Sequence, residues 1–173
     1  AIKVLKSGLG DAHESASERF LREVKIISKL RHPNTVTIHD CGETPSGILY
    51  MVLEYIEGET VEDILDREGA QPPMRALYLS RQIGKSLAEA HKHGVIHRDL
   101  KPANIMVTDL ETEHDFVKVL DFGVARLLRG QTRDLTSAGL PEGERELIGT
   151  PRYMSPEQVR GQSLSPASDV YSL

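Results

Sequence analysis

Asp99, Lys101 and Asn104 fall within six residues of one another in the stretch "HRDLKPANIM", His97–Met106. Around a single proline, Pro102, this stretch gathers an arginine, a lysine and carboxylate and amide oxygens. The apolar pair Val95–Ile96 predicts a short strand, and Pro102 predicts a loop rather than a helix after it. In extended backbone, residues two apart point the same way, so Asp99 and Lys101 are expected to face one cavity. The ammonium favours an ionised Asp99. A carboxylate so placed accepts a hydroxyl proton while the ammonium meets a phosphate oxygen. Asn104 offers an amide oxygen, a hard donor suited to Mg²⁺. "NIMV" and "FVKVL" read as a strand pair joined by an acidic loop over 108–115. That hairpin would carry Asp121, in "DFG", back towards Asn104.

The elements that must position these groups can be read around them. Residues 1–6 read as a strand with Lys3 between Ile2 and Val4. "SASE", Ser15–Glu18, has capping-box spacing and predicts a helix to about Leu30, ended before Pro33. Phe20, Ile27 and Leu30 recur at helical spacing, and Glu23 sits on or beside that stripe, where a carboxylate wants a cationic partner. "TVTIHDC" and "ILYMVLEYI" read as strands around the turn "ETPSG", and "EGE" as a connector. "TVEDILDREG" predicts a short helix closed by Gly69. From Pro73 to His93 a longer helix places Ala76, Leu79, Ile83, Leu87 and Ala90 on one side, with Gly94 as its stop. Strands and one helix come first and helices dominate afterwards, which predicts an α+β chain of two unequal lobes joined near residues 54–59.

Composition narrows the class. The chain has 173 residues, 39% hydrophobic and 27% charged, as a folded globular protein has. A net charge of −5 gives no electrostatic case for binding nucleic acid. The single Cys41 cannot form an intrachain disulfide, so a reducing compartment is the simpler expectation. No apolar run approaches the ~20 residues that span a bilayer. The opening "AIKVLK" reads as mid-strand and the closing "SDVYSL" as the start of a helix, so both ends are expected to be cut. His91, His93 and His97 lie close in sequence, but residues two apart on a helix diverge and no cysteine pair accompanies them, so zinc is not expected there.

Taken singly, D-x-K in a loop is ordinarily a solvated pair, "DFG" a turn, and a strand lysine a side chain that reaches water. Taken together and in this order, they resemble the protein kinase family, whose signature set has this sequence of motifs. The resemblance covers nearly the whole chain. It implies a partial bilobal protein-kinase-like fold: residues 1–53 a β-rich lobe, 54–59 a hinge, and 60–173 a mostly helical lobe.

By this resemblance "AIK" carries the lysine, Lys3, that binds the α and β phosphates of ATP, and Glu23 is the helix glutamate that pairs with it. "HRDLKPAN" implies Asp99 as the base or hydroxyl-orienting group, with Lys101 beside the γ-phosphoryl. Asn104 and Asp121 are implied as ligands of Mg²⁺, with Mn²⁺ as an alternative. "MVLEYIEG" resembles the hinge: Leu53 is the gatekeeper, the backbone of Glu54 and Ile56 meets adenine, and Ala1 and Met106 sandwich its ring. Ile27, Ile38, His97 and Phe122 match a stacked column linking the lobes. "GTPRYMSPE" resembles the end of the activation segment, with Ser155 where alanine is commoner. Lys101, and Thr150 bridging Asp99 and Lys101, are similar to serine/threonine kinases, and "IGTPRYMSPEQVRG" with "SDVYSL" resembles the bacterial branch.

Arg98 then implies regulation by an anion, either a phosphorylated Thr132, Thr136 or Ser137 or a built-in carboxylate from Glu142, Glu144 or Glu146. The implied partners are ATP and a protein bearing serine or threonine, with self-association for autophosphorylation in trans. No nucleic acid and no membrane segment are implied for this stretch, and its expected location is cytoplasmic. Two alternatives stand beside an active kinase: a catalytically silent ATP-binding scaffold, and a small-molecule phosphotransferase. The chain alone is expected to be inactive, because the glycine-rich loop and much of the helical lobe lie outside it.

Overall fold

The computed structural model of the chain describes residues 1–5, 16–123 and 151–173. Three strands form the first sheet: β1 (Ile2–Leu5), β2 (Ile38–Glu43) and β3 (Leu49–Leu53). β3 lies in the middle and pairs antiparallel with both neighbours, setting Lys3 opposite Met51 and Cys41 opposite Met51 from the other side. The turn between β2 and β3 closes through Thr44 N–H donating to the Ile48 carbonyl at 2.9 Å.

Helix α1 (Ala16–Ile27) packs on this sheet through Phe20, Val24 and Ile27. It stops at Ile27 rather than Leu30. Lys29 and Leu30 donate to carbonyls three residues back, Ile26 and Ile27, which tightens the last turn out of α-helical geometry. Ser15 of the expected capping box lies outside the described residues.

The second lobe begins with a two-residue strand, β4 (Glu59–Thr60), inside what the sequence reads as a plain connector. β4 pairs with β5 (Ile105–Thr108), which pairs in turn with β6 (Phe116–Val119). Gly58 is required at this junction, because a Cβ there would lie 2.3 Å from the Val107 carbonyl oxygen. Helix α2 (Val61–Glu68) starts on a capping box between Thr60 and Asp63 and ends at Gly69 with φ 73°.

Helix α3 (Pro73–Lys92) buries Leu79, Ile83, Leu87 and Ala90 as its period predicts, while Ala76 is exposed. Gln82 and Ser86 share the buried face, and both hold the lobes together. The Gln82 carboxamide oxygen accepts from Asn34 Nδ2 at 3.0 Å and from Val117 N–H at 3.0 Å, and Ser86 Oγ lies 2.7 Å from Thr35 Oγ1. Glu89 caps the same linker by accepting from Arg31 N–H at 3.0 Å and His32 N–H at 2.9 Å. Residues 31–37 are thus bolted to α3 by side chains and to β6 by a parallel bridge between Thr35 and Val119, in which Val36 N–H donates to the Val119 carbonyl at 2.9 Å and Val119 N–H to the Asn34 carbonyl at 2.8 Å.

Val95 and Ile96 form no strand. Val95 N–H caps α3 by donating to the Ala90 carbonyl at 2.9 Å, so the apolar pair belongs to the helix end. A 3₁₀ turn occupies Pro102–Asn104, where the sequence predicts only loop. The chain closes with α4 (Pro156–Val159) and α5 (Pro166–Ser172). Among the described residues no helix is long and apolar enough to cross a membrane.

Candidate active site

The loop that follows α3 is held by one buried carboxylate. Asp169 of α5 is 1% exposed and takes three donors: His97 N–H at 2.8 Å, Arg98 N–H at 2.9 Å and His91 Nε2 at 2.7 Å. Burial without such donors would be costly for an ion. His97 is fully buried, and its ring leaves no choice of tautomer. Nδ1 accepts from Asp99 N–H at 3.3 Å, so Nε2 carries the proton and donates to the Leu120 carbonyl at 2.7 Å. Burial holds the His97 ring below its ordinary pKa, against the raising pull of Asp169. The ring also meets Phe122, centroid to centroid 4.8 Å. With Ile27 buried and Ile38 packed against the core, the four residues of the expected column all lie in the same cluster or beside it.

Asp99 and Lys101 face each other as the alternation of extended backbone predicts. Lys101 has φ −163° and ψ 162°, and its Nζ lies 2.9 Å from Asp99 Oδ2. Asn104 Nδ2 donates to the Asp99 carbonyl at 2.7 Å and to Asp99 Oδ2 at 3.2 Å. The expected hairpin is present, with Ile105 opposite Val119, and Leu120 N–H donates to the Asn104 carbonyl at 2.9 Å. Asp121 therefore starts one residue from Asn104's backbone partner. Arg98 and Asp121 adopt φ 70° and φ 57°, a conformation that costs an L-residue about 1–2 kcal/mol.

Lys3 departs from the expected pairing. Its Nζ is 2.5 Å from Asp121 Oδ2, and Glu23 makes no ion pair among the described residues. The positive φ of Asp121 turns that residue out of the β6 direction, and its carboxylate rather than the half-buried one on α1 meets the ammonium. The structure thus brings Lys3, Asp99, Lys101, Asn104 and Asp121 into two linked groups and leaves Glu23 apart.

At the connector, Ala1 and Leu53 exchange both backbone hydrogen bonds, at 2.6 and 2.8 Å. Glu54 follows, and its carboxylate accepts from Thr37 N–H at 2.6 Å and from Lys118 Nζ at 2.8 and 3.0 Å. Burial alone would raise the Glu54 carboxyl, but the bonds from Lys118 and Thr37 outweigh it and hold it low. Ile56 is half-buried two residues on, and Met106 lies on β5 between Thr60 and Lys118. Lys118 sits beside Met106 with no functional signal of its own in the sequence, although its register opposite Met106 follows from the hairpin.

Thr132, Thr136, Ser137 and Thr150 lie outside the described residues, as do Glu142, Glu144 and Glu146. Glu157 accepts from Ser168 Oγ at 2.5 Å, and this bond holds its carboxyl below the ordinary range. The three histidines diverge: His91 to Asp169, His93 Nδ1 to the Glu89 carbonyl, His97 to Leu120.

The protein kinase domain family model matches residues 1–173. Serine/threonine-protein kinase pkn3 of Myxococcus xanthus is 43% identical over 175 residues, covering 99% of this chain and 30% of that protein. PknB of Mycolicibacterium smegmatis is 42% identical over 176 residues, covering all of this chain and 26% of that protein. The chain therefore spans between a quarter and a third of these curated relatives. Among solved structures, the Mycobacterium tuberculosis PknI kinase domain aligns with a TM-score of 0.64 at 26% identity, over 91% of this chain and 52% of that one. The chain belongs to the protein kinase domain family, in its bacterial serine/threonine branch.

Proposed function

We propose that the protein carrying this chain transfers the γ-phosphoryl group of ATP to serine or threonine hydroxyls of proteins. The observation that carries this reading is the Asp99–Lys101–Asn104 cluster set against Asp121 across one hairpin end. Such transfer needs alignment and charge neutralisation more than covalent help. Asp99 would orient the hydroxyl and take its proton, while Lys101 would offset charge on the group in flight. Lys3 would meet the α and β phosphates, with Glu23 as its partner once it leaves Asp121. The backbone of Glu54 and Ile56 would read adenine between Ala1 and Met106.

The donor set fits a divalent cation held chiefly by substrate phosphates. Asn104 spends its NH₂ group on Asp99, which leaves its amide oxygen without a hydrogen bond among the described residues. Asp121 keeps Oδ1 in the same condition. Among the described residues no cluster of three or more His, Cys, Asp and Glu stands ready to hold a metal by itself. Mg²⁺, or Mn²⁺ in its place, would supply neutralisation of phosphate charge.

Arg98 would receive a phosphorylated Thr132, Thr136 or Ser137, made by autophosphorylation between two copies, or else a carboxylate from Glu142, Glu144 or Glu146. Thr150 would bridge Asp99 and Lys101. The reaction would take place in the cytoplasm, and residues 1–173 alone are expected to transfer nothing. The full-length protein tests this beside its Asp99→Asn variant, by following labelled γ-phosphate into the protein itself and into a generic basic protein. The variant should lose about 10²–10⁴-fold in rate. Label reaching only small molecules would favour the phosphotransferase, and ATP binding without transfer the scaffold.

A further inference from the structure

Arg98 is held from both sides. Its N–H donates to Asp169 on α5, and its carbonyl accepts from Gln158 Nε2 on α4 at 2.6 Å. Its φ of 70° needs such support, because an L-residue relaxes out of that region unless its neighbouring peptide groups are fixed. The Gln158 carboxamide has only one orientation that works. Its Oε1 accepts from Ser155 N–H at 2.9 Å, so the NH₂ end must face Arg98. A flipped amide would set oxygen against carbonyl and NH₂ against N–H.

Gln158 itself sits on a braced platform. Ser155 Oγ accepts from its N–H at 3.4 Å, Ser168 Oγ donates to Glu157 at 2.5 Å, and Ser172 Oγ donates to the Tyr153 carbonyl at 2.8 Å. α4 and α5 thus form one unit gripping one residue through the peptide groups on either side of it. The next residue is Asp99, so any rotation at Arg98 moves that carboxylate.

We propose that Gln158 is a positioning residue for phosphoryl transfer: through the Arg98 carbonyl it fixes the aim of Asp99, and it ties residues 151–158 to the catalytic loop. The inference rests on the reading above for the reaction, while the clamp itself does not. An enzyme tolerates little misplacement of an aligned group, so about a 10- to 100-fold loss in kcat is expected when the clamp opens.

Gln158→Glu isolates the effect. It keeps the acceptor for Ser155 N–H and replaces the donor to Arg98 with a carboxylate oxygen set against the carbonyl. In the full-length protein, amide exchange over residues 97–101 should quicken. The kcat should fall by the stated factor while KM for ATP stays within about two-fold, because Lys3 and the hinge are untouched. Lowering the pH from 8 to 5 protonates a growing fraction of the new side chain, whose ordinary pKa is about 4.3, and restores a donor in that fraction, so the ratio of variant to wild-type kcat should climb. Gln158→Met, which has neither donor nor acceptor, should lose kcat without that recovery. If Gln158→Glu does not fold, the Met variant alone decides by exchange and kcat. Unchanged exchange over 97–101, or faster exchange with unchanged kcat, overturns the proposal. A flat pH ratio, equal for both variants, reduces Gln158 to a packing role and also overturns it. A wild type that transfers no phosphate sinks the kinase reading instead, and exchange still decides the clamp.

Discussion

Asp169→Asn is the substitution whose cost the structure fixes best. The carboxylate is almost fully buried and serves three donors with two oxygens. Asparagine has one oxygen. If that oxygen takes the Oδ2 position, His97 N–H and His91 keep an acceptor, and the new NH₂ faces Arg98 N–H. If it takes the Oδ1 position, two donors are lost instead of one. The milder case forfeits a charge-assisted bond and strands a buried N–H, each about 1.5–3 kcal/mol and overlapping. Relief of burying a charge offsets part of this. The net loss is about 2–4 kcal/mol, against a total stability of roughly 5–15 kcal/mol, so the variant still folds. At about 2–4 °C per kcal/mol, the domain's Tm falls by about 5–15 °C. Circular dichroism on the full-length protein reads this. His91→Leu alone should cost about 1–2 kcal/mol, and the double variant less than the sum, because Asp169→Asn already weakens the His91 bond from charge-assisted to neutral before His91→Leu removes it. A Tm within 2 °C of wild type for Asp169→Asn, or strict additivity with His91→Leu, would refute the account of Asp169 as the anchor of the loop.

Three further outcomes are expected. Glu23→Gln should leave unfolding free energy within about 0.5 kcal/mol, because Glu23 has no ion pair among the described residues to lose, yet cut kcat by about 10-fold or more if it must hold Lys3 during transfer; denaturant titration and steady-state kinetics separate the two. His97 stays neutral when folded, so below its unfolded pKa of about 6.5 the unfolded chain takes up a proton that the native state refuses. Stability is therefore full above that pH and falls on acidification by up to about 1.4 kcal/mol per unit. His32, also held low chiefly by burial, adds to this slope. His97→Phe should flatten the acid limb, and identical slopes in urea titrations between pH 6.5 and 5 would count against it. Gly58→Ala should cost about 1–3 kcal/mol by forcing β4 off β5, and it should raise KM for ATP; an unchanged Tm would show that the junction can yield.

The Asp99–Lys101 pairing and the Asn104–Asp121 hairpin were legible because both follow from local periodicity: alternation over three residues, and a strand pair closed by a short loop. α2 and α3 were legible through their glycine stops and, in α3, through its apolar period. The partner of Lys3 was not, since two carboxylates compete for it and the winner depends on Asp121's backbone, which no spacing reveals. Gln158 carries no chemistry in the sequence beyond an amide, and its target lies 60 residues away on a carbonyl, a group every residue has. The same holds for Gln82, which looks like an interruption of the apolar stripe and is instead the bolt between lobes. Val95–Ile96 misled because β-branched residues favour strands only when a partner strand exists.

The ion pair between Lys3 and Asp121 makes each the counter-ion of the other. On the proposed reading, Lys3 cannot turn to a phosphate without leaving Asp121 as a bare carboxylate facing the same polyanion. A nucleotide arriving without a cation would gain one attraction and meet one repulsion. A nucleotide arriving with a divalent cation offers each side chain a new partner of the right sign. On that reading entry would be a double exchange of partners that leaves neither charge uncompensated, so the resting pair would favour nucleotide and metal arriving together over nucleotide alone.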